Sequence, residues 1–153
     1  MRLWRISNHA SLSGHGGLYA SGRWHSRGRR VVYLADHPAS ALVEVMVHLE
    51  IDAEDLPMHY QLLGVEVPDE IAVMSVDEAT LPASWRDQVG FTRVHGDDWL
   101  RGTESALLRV PSAIVPQAAN YLLNPAHPDA ARVSLAVTLR AAFDPRLIAF
   151  VGN

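Results

Sequence analysis

Arg23 stands in Gly22-Arg23-Trp24-His25, and Tyr33 follows in Val32-Tyr33-Leu34-Ala35. Glu44 is a lone acid a few residues later, and Ser112 and Asn120 follow at Pro111-Ser112 and Asn120-Tyr121. An arginine suits a phosphate, an aromatic suits a flat ring, and one carboxylate suits a positively charged transition state. Together these types fit a dinucleotide, although no single residue among them would justify that reading. Arg5, in the short run Leu3-Trp4-Arg5-Ile6, adds a second guanidinium.

The elements that must position these residues can be outlined from pattern. Leu3 to Ile6 reads as a first strand, followed by a loop from Ser11 to Gly22 with four glycines, suited to a close backbone approach. Val31 to Leu34 reads as a second strand. Asp36 to Pro38 then supplies a cap and a first-turn proline for a helix to about Glu50. On that helix Leu42, Val43, Met46, Val47 and Leu49 form the expected core face, and Ser40, Glu44 and His48 the polar one. Leu62 to Val67 and Ile71 to Val76 read as strands about a turn at Pro68-Asp69. Short helices are expected over Leu81 to Val89 and Asp97 to Gly102, then a strand-like run from Ala106 to Val115. Asn120 and Asn124 flank an apolar stretch closed by Pro125 and read as loop residues. Val133, Leu135, Val137 and Leu139 alternate with Ser134, Ala136, Thr138 and Arg140, the period of a half-buried strand.

No repeat or linker interrupts this order, so the expectation is a single mixed α+β domain over residues 1–153. That length buries about 70% of the unfolded surface, enough to fold without staples. There is no cysteine, no apolar run of membrane-spanning length and no leader-like N-terminus, which fits a reducing cytoplasm and no membrane. All thirteen basic residues are arginine, for which a GC-rich genome is the bland explanation. A net charge of −4 argues against broad nucleic-acid binding, which neutralises many phosphates at once. It leaves room for one basic pocket. The eight histidines form no His-Glu-x-x-His and no compact ligand pair, so no metal is expected.

The chain resembles the RES-domain family along essentially its whole length. The resemblance rests on Trp4-Arg5, Gly22-Arg23-Trp24, Val32-Tyr33-Leu34-Ala35, the helix carrying Glu44, Val110-Pro111-Ser112-Ala113, and Asn120-Tyr121-Leu122-Leu123-Asn124-Pro125-Ala126-His127-Pro128-Asp129. Gln117, where an acid is more usual, and Ala130, where an aromatic is common, depart from the pattern without touching the chemistry. The resemblance implies an ADP-ribosyltransferase-like fold of mixed sheets with flanking helices. It also implies a bacterial toxin that degrades NAD as a consumed substrate, with no retained cofactor, by hydrolysis or by phosphorolysis with inorganic phosphate as co-substrate. Some members transfer ADP-ribose to a protein. The implied partner is a Xre-type DNA-binding antitoxin, and any homo-oligomer would form through that complex.

In that setting Arg5 and Arg23 would grip the pyrophosphate or ribose, with surface arginines as the ordinary alternative. Tyr33 would stack on nicotinamide or orient Glu44 through its hydroxyl; otherwise it is a core strand tyrosine. Glu44 would stabilise the ribosyl cation, although its place on a polar stripe equally fits a solvated acid. Ser112 would bond a phosphate, a ribose or Glu44, and lacks the companions of a nucleophile. Asn120 would line the cleft. Arg27, Arg29 and Arg30 read as a solvated charge run outside the site. Two other classes fit the same residues. A binding module would hold a nucleotide without turnover, and a nucleic-acid binder using Arg23 to Arg30 would show steep salt dependence.

Overall fold

A computed structural model describes residues 1–48 and 58–151. Strands β1 (Arg2–Ile6), β2 (Val32–Ala35), β3 (His59–Glu66), β4 (Val73–Ser75), β5 (Leu107–Pro111), β6 (Ala119–Leu123) and β7 (Ser134–Ala142) form one seven-stranded sheet in the order β4-β5-β6-β2-β1-β3-β7. Only β4 and β5 run parallel, so the sheet is mixed. The helices are α1 (Gly16–Tyr19), α2 (Pro38–His48), α3 (Val89–Gly102) and α4 (Pro145–Val151). The α+β expectation is met.

The sheet separates two apolar clusters. Val32, Leu34, Leu107 and Leu123 pack with Leu3, Val65 and Val67 in one. Val31, Leu108, Val110 and Leu122 pack with Trp24, Trp85, Trp99 and Leu100 in the other. Neighbouring residues of β2, β5 and β6 therefore enter opposite clusters, as successive side chains of a strand must. These strands are buried on both faces and read as apolar runs. β7 lies at the sheet edge; Leu135 and Val137 are half-buried between exposed Ser134, Ala136 and Thr138 as expected, but Leu139 is exposed, so the expected alternation ends there.

Several expected elements shift. Pro82 and Ser84 lead into a single 3-10 turn, Trp85–Asp87, where a helix over Leu81 to Val89 was expected. The real helix, α3, begins at Val89, so Asp97 lies inside it and does not start it. The run from Ala106 stops at Pro111 because the Ser112 hydroxyl accepts from the N–H groups of Ile114 and Val115, folding the chain into a turn. Asn120 belongs to β6 rather than a loop, paired with Ala35 and Val110. The start of α2 is capped by His37, whose Nδ1 accepts from Ala39 N–H at 3.1 Å, while Asp36 instead accepts from Ala119 N–H. Ala41 is the buried residue of α2 and Val47 is exposed, which corrects the expected core face; Leu49 and Glu50 lie outside the described residues.

Candidate active site

A cleft of about 580 Å³ opens where β1, β2, α2, the end of β5, β6 and the 21–25 loop meet. Arg5, Arg23, Tyr33, Glu44 and Asn120 all line it, and Ser112 stands directly behind Glu44. Residues far apart in sequence therefore share one cavity.

Glu44 projects from α2, which packs on β1 and β2. Its Oε1 accepts from Asn120 Nδ2 at 2.7 Å and from the Ser112 hydroxyl at 3.2 Å. Ser112 is buried, and its two oxygen lone pairs already accept from Ile114 and Val115 N–H. Its one proton is thus directed to the carboxylate, and no lone pair is left for attack on a substrate. Ser112 orients Glu44. The carboxylate's second oxygen faces His48 Nε2, one helical turn on, at 3.8 Å. His48 is largely exposed, so this pair contributes little.

The two arginines differ. Arg5 lies on β1, and burial pulls its pKa below the ordinary arginine value. Among the described residues no carboxylate or carbonyl offsets that burial. A half-buried guanidinium without a counter-charge, facing a cleft, favours an anion there. Arg23 is already engaged: its Nη1 donates to the Arg86 carbonyl at 2.8 Å, and its guanidinium lies 5.8 Å from the centre of the Trp85 ring.

Tyr33 lines the cleft, but its hydroxyl turns away from Glu44. It lies 2.7 Å from His25 Nδ1 and accepts from Trp24 N–H at 3.2 Å. Burial pushes the phenol pKa up, so it stays neutral. Orienting Glu44 thus falls to Ser112 and Asn120, not to Tyr33. Arg29 pairs with Asp97 at 3.3 Å, and Arg27 and Arg30 are exposed outside the lining. Asn124 is structural, bonding the Leu100 carbonyl and Ala126 N–H, and His127 caps the 3-10 turn Pro128–Arg132.

The supports from α3 were not foreseen. Thr92 Oγ1 donates to the Arg23 carbonyl at 2.6 Å, Arg93 Nε to the Gly22 carbonyl at 2.8 Å, and Asp97 accepts from Ser26 N–H at 2.9 Å. Burial pushes the Asp97 carboxyl up, but hydrogen bonds from Ser26 and the charge of Arg29 outweigh it, and the net pKa is lowered. Isolated Thr, Arg and Asp on a helix carry no sequence signal for such contacts.

A profile of the RES domain matches residues 2–144. The chain belongs to the RES-domain family. This RES domain is 50% identical over 140 residues to Toxin Res of Pseudomonas putida, covering 90% of this chain and 93% of that one. It is 38% identical over 156 residues to the Prs ADP-ribosylating toxin of a Sphingobium species, covering 95% of each. Its fold is similar to that of a chain in the crystal structure of the M. tuberculosis MbcT–MbcA toxin–antitoxin complex. That match has a TM-score of 0.61 at 20% identity and covers 99% of this chain and 88% of the other.

Proposed function

We propose that this RES domain is the toxin of a bacterial toxin–antitoxin pair and that it consumes NAD by breaking the nicotinamide–ribose bond. The observation that carries the chemistry is Glu44, fixed by Ser112 and Asn120 in the cleft that also holds the uncompensated Arg5. The names of the two relatives, both toxins and one of them an ADP-ribosylating toxin, support the same class of activity. A Xre-type antitoxin is the proposed partner, following the family resemblance; MbcT likewise occurs in a complex with MbcA.

Arg5, with Arg23 in the same cleft lining, would hold the pyrophosphate. As the N-glycosidic bond breaks, its electron pair moves to the pyridinium nitrogen and a neutral nicotinamide leaves. The ribose carbon acquires oxocarbenium character. Glu44 is ready for that charge because its Oε1 is fixed by two donors, so little reorientation is needed when the charge appears. An oxygen of water or inorganic phosphate then bonds to the sugar carbon, the proton of the attacking O–H passing to solvent in the case of water, giving ADP-ribose or its 1-phosphate. Transfer to a protein side chain is the same step with another nucleophile.

The test is a chromatographic or NMR time course of NAD with purified protein, with and without phosphate, beside Glu44→Gln. The expected result is nicotinamide release by wild type, a co-product that names the acceptor, and turnover lowered roughly a hundred- to thousandfold in the variant. Full turnover by Glu44→Gln would remove Glu44 from its role. NAD bound without nicotinamide release, and without label transfer to lysate proteins, would make this a binding module.

A further inference from the structure

One imidazole gathers the loop that brings Arg23 to the cleft. His25 is 3% exposed, and its Nε2 lies 2.9 Å from the Ala20 carbonyl oxygen. A carbonyl only accepts, so Nε2 carries the ring proton. Nδ1 is then a bare acceptor, reached by Gly22 N–H at 3.1 Å and by the Tyr33 hydroxyl at 2.7 Å. The Tyr33 oxygen in turn accepts from Trp24 N–H. The Gly22 and Trp24 N–H groups, on either side of Arg23, are thus tied to a single His25–Tyr33 pair, Gly22 N–H being shared with the His25 backbone carbonyl at 3.1 Å.

We propose that His25, held as the neutral Nε2–H tautomer, is the positioning residue that sets where the Arg23 guanidinium meets the anionic part of the substrate. This rests on the NAD reading for the substrate, but the latch itself does not. A second ring proton has no place in it. It would face the Gly22 N–H and would deprive the Tyr33 hydroxyl of its acceptor. The charged groups acting on the ring are Asp97 and Arg93 of α3, with Tyr33 against it from β2. Burial lowers the His25 pKa, opposed by the Ala20 and Gly17 carbonyls and by Asp97 and reinforced by Arg93. The neutral ring therefore persists below the ordinary histidine range near 6.5.

Long-range proton–nitrogen NMR of the labelled wild-type protein tests the latch without NAD. The expected pattern is Nε2–H, unchanged from pH 8 to below about 6.5, with slow exchange of the Gly22 and Trp24 amides. An Nδ1–H ring, or ionisation at or above that ordinary value, would overturn the proposal. NAD kinetics then test its consequence. Loss of Arg23 alignment in His25→Phe should raise KM on the order of tenfold, the scale of one lost hydrogen bond, with kcat less affected. His25→Asn, which keeps an acceptor on the Nδ1 side, should recover part of that loss. A folded His25→Phe with wild-type KM would overturn the positioning role; if that variant fails to fold, the NMR result decides. A wild-type protein that never cleaves NAD would end the NAD reading and leave the tautomer and amide-exchange results to judge the latch.

Discussion

Two parts of the cleft lining, here called its walls, are built differently. On one, Arg5, Glu44 and Asn120 stand on β1, α2 and β6, and side chains hold a side chain: Ser112 and Asn120 grip the Glu44 carboxylate. On the other, Arg23 lies on an irregular loop, and side chains hold its backbone through Thr92, Arg93, Asp97, His25 and Tyr33. The first arrangement fixes a charge to within one hydrogen bond. The second fixes a chain path and brings Arg23 to the cleft, with its guanidinium resting on the Arg86 carbonyl and the Trp85 ring. Under the proposed NAD chemistry, charge stabilisation at a reacting carbon would need the first kind of precision, while gripping a diffuse pyrophosphate would tolerate the second.

The largest effect expected on this contrast comes from Gly96 of α3. A methyl group at that position would collide with the carbonyl oxygen of Trp24, so the loop rests on the bare helix backbone. Gly96→Ala should cost about 3 kcal/mol or more, because backbone must move to admit it. Urea unfolding would measure the loss. In crystals or NMR spectra of any folded variant, residues 22–26 should shift while the Glu44, Ser112 and Asn120 contacts persist. Equal displacement of both walls would show that they are not independent.

Arg5 offers a sharper separation of binding from stability. Its guanidinium has no offsetting partner among the described residues, so Arg5→Ala should leave the unfolding midpoint unchanged or raise it. The same change should weaken NAD binding by about 2 kcal/mol, roughly thirtyfold in KM, if a phosphate is what Arg5 meets. Arg5→Lys keeps the charge and loses the planar fork, so an intermediate KM is expected. Calorimetry and initial rates on the same preparations would check both halves.

The two walls also differ in how far they could be read in advance. Arg5, Arg23, Tyr33, Glu44 and Asn120 share a cleft, yet periodicity alone assigned Glu44 to a solvated stripe and Asn120 to a loop. Both readings fail for one reason. The polar side of α2 faces a polar cavity rather than open water, and Asn120 sits on a strand that contributes one polar side chain to that cavity. Local pattern reports polarity and not what it faces. β7, an edge strand, was readable because alternation survives from Ser134 to Thr138, although not at the exposed Leu139, whereas β5 and β6 are buried on both sides and lose it. The α3 supports were invisible because Thr92, Arg93 and Asp97 contact backbone atoms about seventy residues away in sequence.

Ser112 gives the smallest effect and the most specific one. Its hydroxyl performs two tasks, accepting from the Ile114 and Val115 N–H groups and donating to Glu44. Ser112→Ala removes both, leaving two turn amides to find other acceptors, at a cost of about 1–2 kcal/mol in unfolding free energy. Glu44 keeps Asn120 as a donor, so its charge stays in place with a looser orientation. The expected kinetic signature is a drop in kcat of about tenfold, with KM for NAD near wild type, because neither Arg5 nor Arg23 depends on Ser112. Ser112→Thr retains the hydroxyl and should recover most of the turnover if its methyl fits the buried site. A variant in which KM rises while kcat holds would instead place Ser112 on the substrate and not behind the carboxylate.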